Sequence, residues 1–209
     1  MKKIVITGGL GYIGTELCKI YSGYSWNDQI IVIDNRFVSE RVNQIRHWNM
    51  NFVQGDILNK ELIYKYCHDA DIVHHLAGVT DVPRVKSHSN QEHDFKIKKV
   101  AEEGTQNILD SISNKCKIIM PSSHVVYEGI EKVKNDIGEN EKTSPVLSYG
   151  KSKDFNEKQL KNSGKNYIIL RLGSVYGYST DTARIDIMPN LFSKIASQNG
   201  TLKLFAGGR

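Results

Sequence analysis

The sequence has no long apolar run, and this absence restricts where the protein can act. Among its 209 residues, no apolar stretch approaches the ~18 to 20 residues that a membrane span requires. Lys2 and Lys3 lead directly into Ile4-Val5-Ile6, without the longer apolar block and small-residue cleavage site of a signal peptide. The sequence therefore predicts a cytoplasmic protein with no membrane partner.

Cysteine is also scarce. Cys18, Cys67 and Cys116 form no Cys-x-x-Cys pair and lie far apart in the sequence. Neither a disulfide framework nor a zinc site is indicated, and we expect buried, unreactive thiols.

The histidines lack the spacing of a metal site. His74 and His75 are adjacent in an apparent strand, where neighbouring side chains point to opposite faces. His88 and His93 are not spaced to share one face of a helix. All four are predicted to be structural, and no metal is expected.

Basic residues are in slight excess but are not clustered. The chain has 28 Lys+Arg against 23 Asp+Glu, a net charge of +5. The densest group, Lys96, Lys98 and Lys99, is followed by Glu102 and Glu103 and is typical of a solvated helix face. Aromatic residues do not interleave with basic ones as in a stacking platform, so no nucleic-acid partner is predicted.

Strand-like and helix-like segments alternate along the chain, and no repeat or low-complexity tract interrupts them. The strand-like runs are short and nearly continuous in apolar residues, as in strands buried on both faces of a parallel sheet. They are Lys3–Thr7, Ile30–Ile33, Asn51–Gln54, Ile72–His75, Lys117–Met120 and Tyr167–Leu172. Helical spacing follows at Gly14–Tyr21, Lys60–His68, Asp94–Ser113 and Tyr149–Asn162. This rhythm predicts an α/β, doubly wound parallel sheet.

The rhythm changes towards the end of the chain. Residues 128–144 are polar and contain two glycines, so a loop is predicted at the sheet's carboxyl edge. Beyond Tyr176 we expect one more helix, Pro189–Gly200, and a strand, Thr201–Phe205. We predict a dinucleotide-binding domain over residues 1–175 and an incomplete second domain over 176–209.

Three glycines, Gly8, Gly11 and Gly14, stand at the first strand-to-helix turn. Glycines there permit positive φ and close backbone approach, and the helix N-terminus offers free N–H groups to a pyrophosphate. Asp34 ends the second strand, where a carboxylate accepts hydrogen bonds from an adenosine ribose and repels a 2′-phosphate. The pattern favours NAD, and the nearby Arg36 keeps NADP as an alternative.

Two further strand ends carry residues suited to a dinucleotide. Asp56 follows the third strand, where its carboxylate could meet an adenine amino group or simply form a turn. The fourth strand ends in Leu76-Ala77-Gly78, small enough at its last two positions for a cofactor to pass close to the main chain.

Tyr149 and Lys153 have the i, i+4 spacing that places a phenol and an ammonium on one helix face. A tyrosine has an ordinary pKa of about 10, and a nearby cation favours the phenolate, which can abstract a proton. The pair follows the fifth strand and the hydroxyls of Ser122 and Ser123, a context that strengthens a catalytic interpretation.

Together these motifs resemble the extended short-chain dehydrogenases/reductases, in the NAD-dependent epimerase/dehydratase family that acts on nucleotide sugars. TGGLGYIG, VIDN, GDI, HLAG, PSSHVVYE, YGKSK and LRLGSVYG follow in the family's order over residues 1 to about 177. The residues from Ile187 to Arg209 resemble the stretch that leads to the family's Gly-x-Gly-x-x-Arg loop. In the family a sugar-binding domain normally follows.

The resemblance implies a Rossmann-type fold that binds NAD and a nucleotide-sugar substrate. It implies a base, Tyr149, a nicotinamide-ribose ligand, Lys153, and an assisting hydroxyl, Ser123. The implied cofactor ligands besides these are Gly8, Gly11, Tyr12, Ile13 and Gly14 at the pyrophosphate, Asp34 and Asn35 at the ribose, Asp56 and Ile57 at the adenine, and Leu76, Ala77 and Gly78 along the dinucleotide. It also implies a homodimer formed through the helices at 94–113 and 149–162.

Departures from the family pattern narrow the implied activity. The family's 4,6-dehydratases have Asp-Glu after the catalytic threonine, whereas this chain has His124-Val125, which disfavours a dehydratase. Ser174 and Ala101 stand at or near positions where the family usually has asparagine, and Glu128 replaces a usual glycine. The resulting expectation is an NAD-dependent nucleotide-sugar epimerase, acting at C4 through a transient keto-sugar. An NAD(P)-dependent keto-sugar reductase and a non-catalytic dinucleotide-binding module remain alternatives.

Overall fold

The computed structural model describes residues 1–24, 27–80, 90–132, 134–179 and 187–203. Six strands form one sheet. They are β1 (Lys3–Thr7), β2 (Gln29–Asp34), β3 (Asn51–Gln54), β4 (Ile72–His75), β5 (Lys117–Ser123) and β6 (Asn166–Leu172). The helices are α1 (Tyr12–Ser22), α2 (Ser39–His47), α3 (Lys60–Cys67), α4 (Gln91–Ser111), α5 (Ser148–Asn162) and α6 (Met188–Ser197), with a 3₁₀ turn at His124–Tyr127.

All strand pairs are parallel, in the order β3-β2-β1-β4-β5-β6. The predicted doubly wound α/β fold is therefore confirmed. The order reverses direction between β1 and β4, and in such sheets the crevice beyond the carboxyl ends of the strands at that point is the usual binding site.

Alternate strand residues build two hydrophobic cores. Val5, Ile31 and Ile33 face one core, which α3, α4 and α5 cover. Ile4 and Ile6 face the other core, which α1 and α2 cover. Because both faces of β1 and β2 are covered, the inner residues of these strands are all apolar, in agreement with the nearly continuous apolar runs of the sequence.

Helix α2 was not predicted. Its nine residues are mostly polar, and only Val42 and Ile45 are buried. They pack in the second core beside Met50. A two-residue apolar face gives little periodicity, so tertiary packing rather than sequence pattern establishes this helix.

The C-terminal predictions hold in part. Helix α6 was predicted at 189–200 and is present at 188–197. The strand predicted at 201–205 does not form at 201–203, and residues 204–205 lie outside the described part. Residues 128–144 form a loop wherever the structure describes them. None of the described helices is long and apolar enough to cross a membrane.

Candidate active site

The glycine-rich turn joins β1 to α1 by close backbone contact. Gly8 has φ +70°, and a Cβ atom there would lie 2.7 Å from the main-chain N and Cα of Ala77. A Cβ on Gly14 would lie 2.4 Å from the Gly8 carbonyl oxygen, and one on Gly11 would lie 3.2 Å from the same oxygen. Larger residues at Gly8 and Gly14 would force the turn, α1 and the end of β4 apart.

The first turn of α1 has the chemistry of an anion site. Gly11 caps the helix without a side-chain hydrogen bond. Within the described residues, the N–H groups of Tyr12, Ile13 and Gly14 donate to no other main-chain group, and the first such bond runs from Thr15 to Gly11. Free N–H groups at a helix N-terminus, together with the helix dipole, fit a pyrophosphate.

The predicted adenosine ligands meet at the carboxyl ends of β2 and β3. The Asp34 carboxylate accepts hydrogen bonds from the Leu10 N–H (2.9 Å) and the Arg36 N–H (3.0 Å) and is 6% exposed. The Asn35 amide donates to the Asp56 carboxylate at 3.0 Å. The structure thus brings Asp34, Asn35 and Asp56 into one corner of the site.

Ile57 has a different environment from its predicted neighbours. Its side chain is 5% exposed and belongs to the first core. It fills the space beside Gly104 on α4, where an added Cβ would lie 2.3 Å from the Ile57 Cδ1 atom. Its carbonyl accepts from the Asn107 amide at 3.0 Å. In this structure the Ile57 side chain therefore packs in the core, and its contact with an adenine stays a prediction.

The end of β4 runs along the crevice. The Leu76 N–H donates to the Thr7 carbonyl at 3.1 Å, and the Ala77 N–H donates to the Thr7 hydroxyl at 3.3 Å. A Cβ built on Gly78 would meet no atom of the described residues within 4 Å. The main chain at Gly78 is therefore not covered by any of those residues.

Tyr149 and Lys153 lie on α5 and face the same small cavity as Ala77 and Gly78. The Lys153 Nζ atom lies 5.6 Å from the centroid of the Tyr149 ring and donates a 2.9 Å hydrogen bond to the Pro121 carbonyl on β5. Strand β5 thereby fixes the lysine beside the phenol.

Ser123 ends the same strand but does not line this cavity. It is 8% exposed, and its hydroxyl accepts from the Val125 N–H at 3.4 Å, capping the 3₁₀ turn. The described structure thus brings Tyr149 and Lys153 together and places Ser123 two residues beyond the lysine's partner on β5.

Burial lowers the pKa of the Lys153 ammonium to about 8. The ammonium is therefore the main form at neutral pH, although less strongly favoured than in an exposed lysine. A cation in this position favours ionisation of the neighbouring phenol.

His74 and His75 are structural, as predicted, and they face opposite sides of the sheet. The His74 ring shares a 2.7 Å hydrogen bond with the hydroxyl of Tyr21 on α1. The His75 ring lies 3.0 Å from the hydroxyl of Thr7 and 3.0 Å from that of Thr105 on α4. Among the described residues, no group of three His, Cys, Asp or Glu side chains could hold a metal.

The remaining residues that were predicted to be structural are two histidines and three cysteines. His93 lies in the first turn of α4, and His88 lies outside the described residues. Cys18, Cys67 and Cys116 are buried free thiols, as expected.

Sequence reasoning missed a buried ion pair behind the active site. Glu157 on α5 is 1% exposed and accepts from the Ser122 hydroxyl at 2.6 Å. It also binds the Arg171 guanidinium of β6 through two hydrogen bonds of 2.8 and 2.6 Å. Arg171 in turn contacts the Tyr127 hydroxyl. The sequence does contain one signal for this ion pair: Arg171 is the single charged residue in an otherwise mostly apolar strand.

Comparison with known proteins agrees with this geometry. A model of the "NAD dependent epimerase/dehydratase family" matches residues 4–209. The chain is 30% identical over 205 residues to a CDP-paratose 2-epimerase of Salmonella typhi, covering 84% of this chain and 58% of that protein. It is 30% identical over 198 residues to a dTDP-D-glucose 4,6-dehydratase of Dictyostelium discoideum, covering 85% of this chain and 44% of that protein.

A solved structure extends the likeness. The crystal structure of UDP-glucose 4-epimerase from Brucella ovis in complex with NAD is 26% identical, with a TM-score of 0.69, and covers 86% of this chain and 54% of that one. The chain thus spans about half the length of these relatives. Since the family model matches nearly the whole chain, the protein belongs to the NAD-dependent epimerase/dehydratase family.

Proposed function

We propose that this chain carries the dinucleotide half of a nucleotide-sugar epimerase that uses NAD and acts at C4. The observation that carries the proposal is the Tyr149–Lys153 pair, which faces one cavity with Ala77 and Gly78 beside the crevice of the sheet. The proposal divides the chain into an NAD-binding domain, residues 1–175, and the beginning of a substrate domain, residues 176–209.

The chemistry of the crevice fits NAD. The free N–H groups of Tyr12 and Ile13 suit the pyrophosphate, and Asp34 with Asn35 suits the adenosine ribose. Lys153 suits the nicotinamide ribose. When bound, the nicotinamide supplies a hydride acceptor and donor.

Tyr149 is proposed as the residue that moves the proton. As a phenolate it accepts the proton of a sugar hydroxyl while the carbon that bears this hydroxyl is oxidised, which leaves a keto-sugar. It returns the proton when the carbonyl is reduced from its opposite face. Lys153 favours the phenolate by its charge. The family resemblance gives Ser123 the role of donating a hydrogen bond to the reacting oxygen. The Ser123 hydroxyl oxygen accepts from the Val125 N–H, which leaves its own proton for this donation.

An epimerase is favoured over a dehydratase by the residues after Ser123. Water loss needs an acid and a base at neighbouring sugar carbons, and the dehydratase pattern supplies Asp-Glu there. This chain has His124 and Val125, and the His124 ring lies 3.2 Å from the Leu172 carbonyl. Neither side chain supplies a carboxylate.

The test combines turnover and binding. The purified chain is incubated with a trace of NAD and a panel of UDP-, GDP-, CDP- and dTDP-sugars, and the sugars are analysed by NMR while NADH absorbance is followed. We expect a new epimer with no net NADH. Tyr149→Phe should lower the rate by about 10²- to 10⁴-fold while leaving NAD affinity nearly unchanged.

Tyr64→Phe is the matched control, because Tyr64 lies on α3 and is 58% exposed. Stoichiometric oxidation of NADH would instead identify a keto-sugar reductase. Tight NAD binding without any sugar conversion would identify a binding module or a chain that needs a further segment. Absence of NAD binding would refute the proposal.

A further inference from the structure

The segment after β6 returns across the sheet to the cofactor site. Strand β6 lies three positions from β1 in the sheet. At the usual strand spacing this is about 14 Å. Nevertheless the Ser179 hydroxyl donates a 3.1 Å hydrogen bond to the Tyr12 carbonyl, in the first turn of α1. Residues 173–179, here called the strap, therefore run from the carboxyl end of β6 to the first turn of α1, a distance that spans the positions of β5 and β4 in the sheet.

A closed ring of three hydrogen bonds fastens the strap. The Tyr12 phenol donates to the Gly177 carbonyl. The Gly177 N–H donates to the Asn190 side-chain oxygen at 2.9 Å. The Asn190 amide nitrogen donates to the Tyr12 phenol at 3.3 Å. Because Asn190 lies in the first turn of α6, a single phenol connects α1, the strap and α6.

Apolar packing contributes little to this attachment. Tyr176 and Tyr178, the two large side chains nearest Gly177, are 66% and 80% exposed. Ser179 is buried and forms the bond to Tyr12. Within the described residues, the contacts that attach the strap are therefore mainly the polar ones around Tyr12.

We propose that Tyr12 and Asn190 are positioning residues that hold the strap over the bound dinucleotide and slow its release. The inference rests on the proposed dinucleotide site. The Tyr12 main-chain N–H, which donates to no main-chain group of the described residues, lies at the proposed pyrophosphate position, while the Tyr12 side chain holds the strap. Retention suits a reaction that oxidises and then reduces the same sugar, because one cofactor molecule must stay through both steps.

The test measures NADH release from the 209-residue chain by stopped-flow fluorescence, with excess NAD as competitor. Tyr12→Phe removes only the hydroxyl, and Asn190→Ala removes its partner. Each should raise the dissociation rate about tenfold and leave the association rate within about twofold of the unsubstituted value. The double variant should release NADH no faster than the single variants, because both break one ring.

Tyr64→Phe serves again as the matched control and should leave both rates unchanged. The melting temperature of the chain without cofactor should be similar in all variants, which separates retention from a general structural effect. Dissociation rates within about twofold of the unsubstituted chain, or additive effects in the double variant, would overturn the inference. If the unsubstituted chain fails to bind NADH, the dinucleotide site itself is refuted.

Discussion

At the scale of single residues, His75 combines deep burial with a neutral ring. It is 3% exposed and lies between the hydroxyls of Thr7 and Thr105. Burial, with a smaller contribution from the Lys153 charge, lowers its pKa to about 3. Below pH 6.5, the ordinary pKa of a histidine, His75 is therefore protonated in the unfolded chain but stays neutral in the folded chain. The stability contributed by the neutral ring is fully present above 6.5 and is lost as the pH falls.

Replacing this histidine should therefore change the acid sensitivity of the fold. Between pH 7 and pH 5 His75 alone should remove about 2 kcal/mol from the free energy of unfolding. The leucine of His75→Leu does not titrate. Between pH 7 and pH 5, the free energy of unfolding of this variant should therefore rise by about 2 kcal/mol relative to that of the unsubstituted chain. Urea unfolding at several pH values measures it. A difference independent of pH would contradict the assigned neutral ring.

The same region shows how two adjacent residues can serve different elements. His74 contacts Tyr21 on α1 and His75 contacts Thr105 on α4. The alternation of side chains along a strand was sufficient to predict that they point apart. The hydroxyl partners could not be predicted, since Thr105 is thirty residues away in a helix whose placement depends on the whole sheet.

At the scale of elements, α5 combines the catalytic candidates with a buried charge. Burial alone would raise the pKa of the Glu157 carboxyl, but hydrogen bonds from Arg171 and Ser122 outweigh it, and the pKa lies below its ordinary value. Glu157 is therefore ionised in the folded chain and linked to β5 through Ser122, next to Ser123.

Removing this charge should destabilise the fold strongly. Glu157→Gln leaves the Arg171 guanidinium, whose side chain is 15% exposed, without its counter-charge. We expect a loss of about 3 kcal/mol in the free energy of unfolding, measured in urea. Lys161→Ala is the control, because Lys161 is 48% exposed and its 3.3 Å ion pair with Glu157 should contribute about 0.5 kcal/mol or less. Equal losses in the two variants would contradict a buried Glu157–Arg171 pair.

The elements α4 and α5 also interlock through amide side chains. The Asn156 amide donates to the Ala101 carbonyl at 2.9 Å, and the Gln159 amide donates to the Glu102 carbonyl at 3.0 Å. At the position near 101 where the family pattern usually has asparagine, α4 thus has Ala101, while Asn156 on α5 contacts the same turn. A sequence comparison position by position does not reveal such a contact between helices.

At the scale of the whole molecule, the predicted homodimer would pair through α4 and α5. Helices α4 and α5 pack side by side, and each has an exposed phenylalanine, Phe95 (66%) and Phe155 (41%). If these helices form the interface, light scattering should give a mass of about 47 kDa, twice the 23.6 kDa of one chain.

Charge placed on that surface should then separate the subunits. Phe155→Glu should convert the dimer to a monomer at micromolar concentration, because an unpaired carboxylate is costly in an interface core. Phe37→Glu is the matched control, since Phe37 is 55% exposed and lies near β3, away from α4 and α5. A monomeric unsubstituted chain, or a dimer that survives Phe155→Glu, would contradict the predicted interface.

The sequence by itself determined the fold class and named the residues of the candidate site. Apolar strand runs, the spacing of Gly8 and Gly14, and the i, i+4 spacing of Tyr149 and Lys153 are local patterns, and local patterns can be read without knowing the packing. The resemblance to the family depended on the same short segments.

The tertiary structure alone decided what distant segments do to one another. It added α2, whose two apolar residues gain stability only against the second core, and it turned the Ile57 side chain into the first core. It also brought Glu157 to Arg171 and Tyr12 to Asn190. The two residues of the first pair are 14 positions apart in the sequence, and those of the second pair are 178 positions apart. The geometry of these contacts follows from the order of strands in the sheet, and no local sequence pattern contains that order.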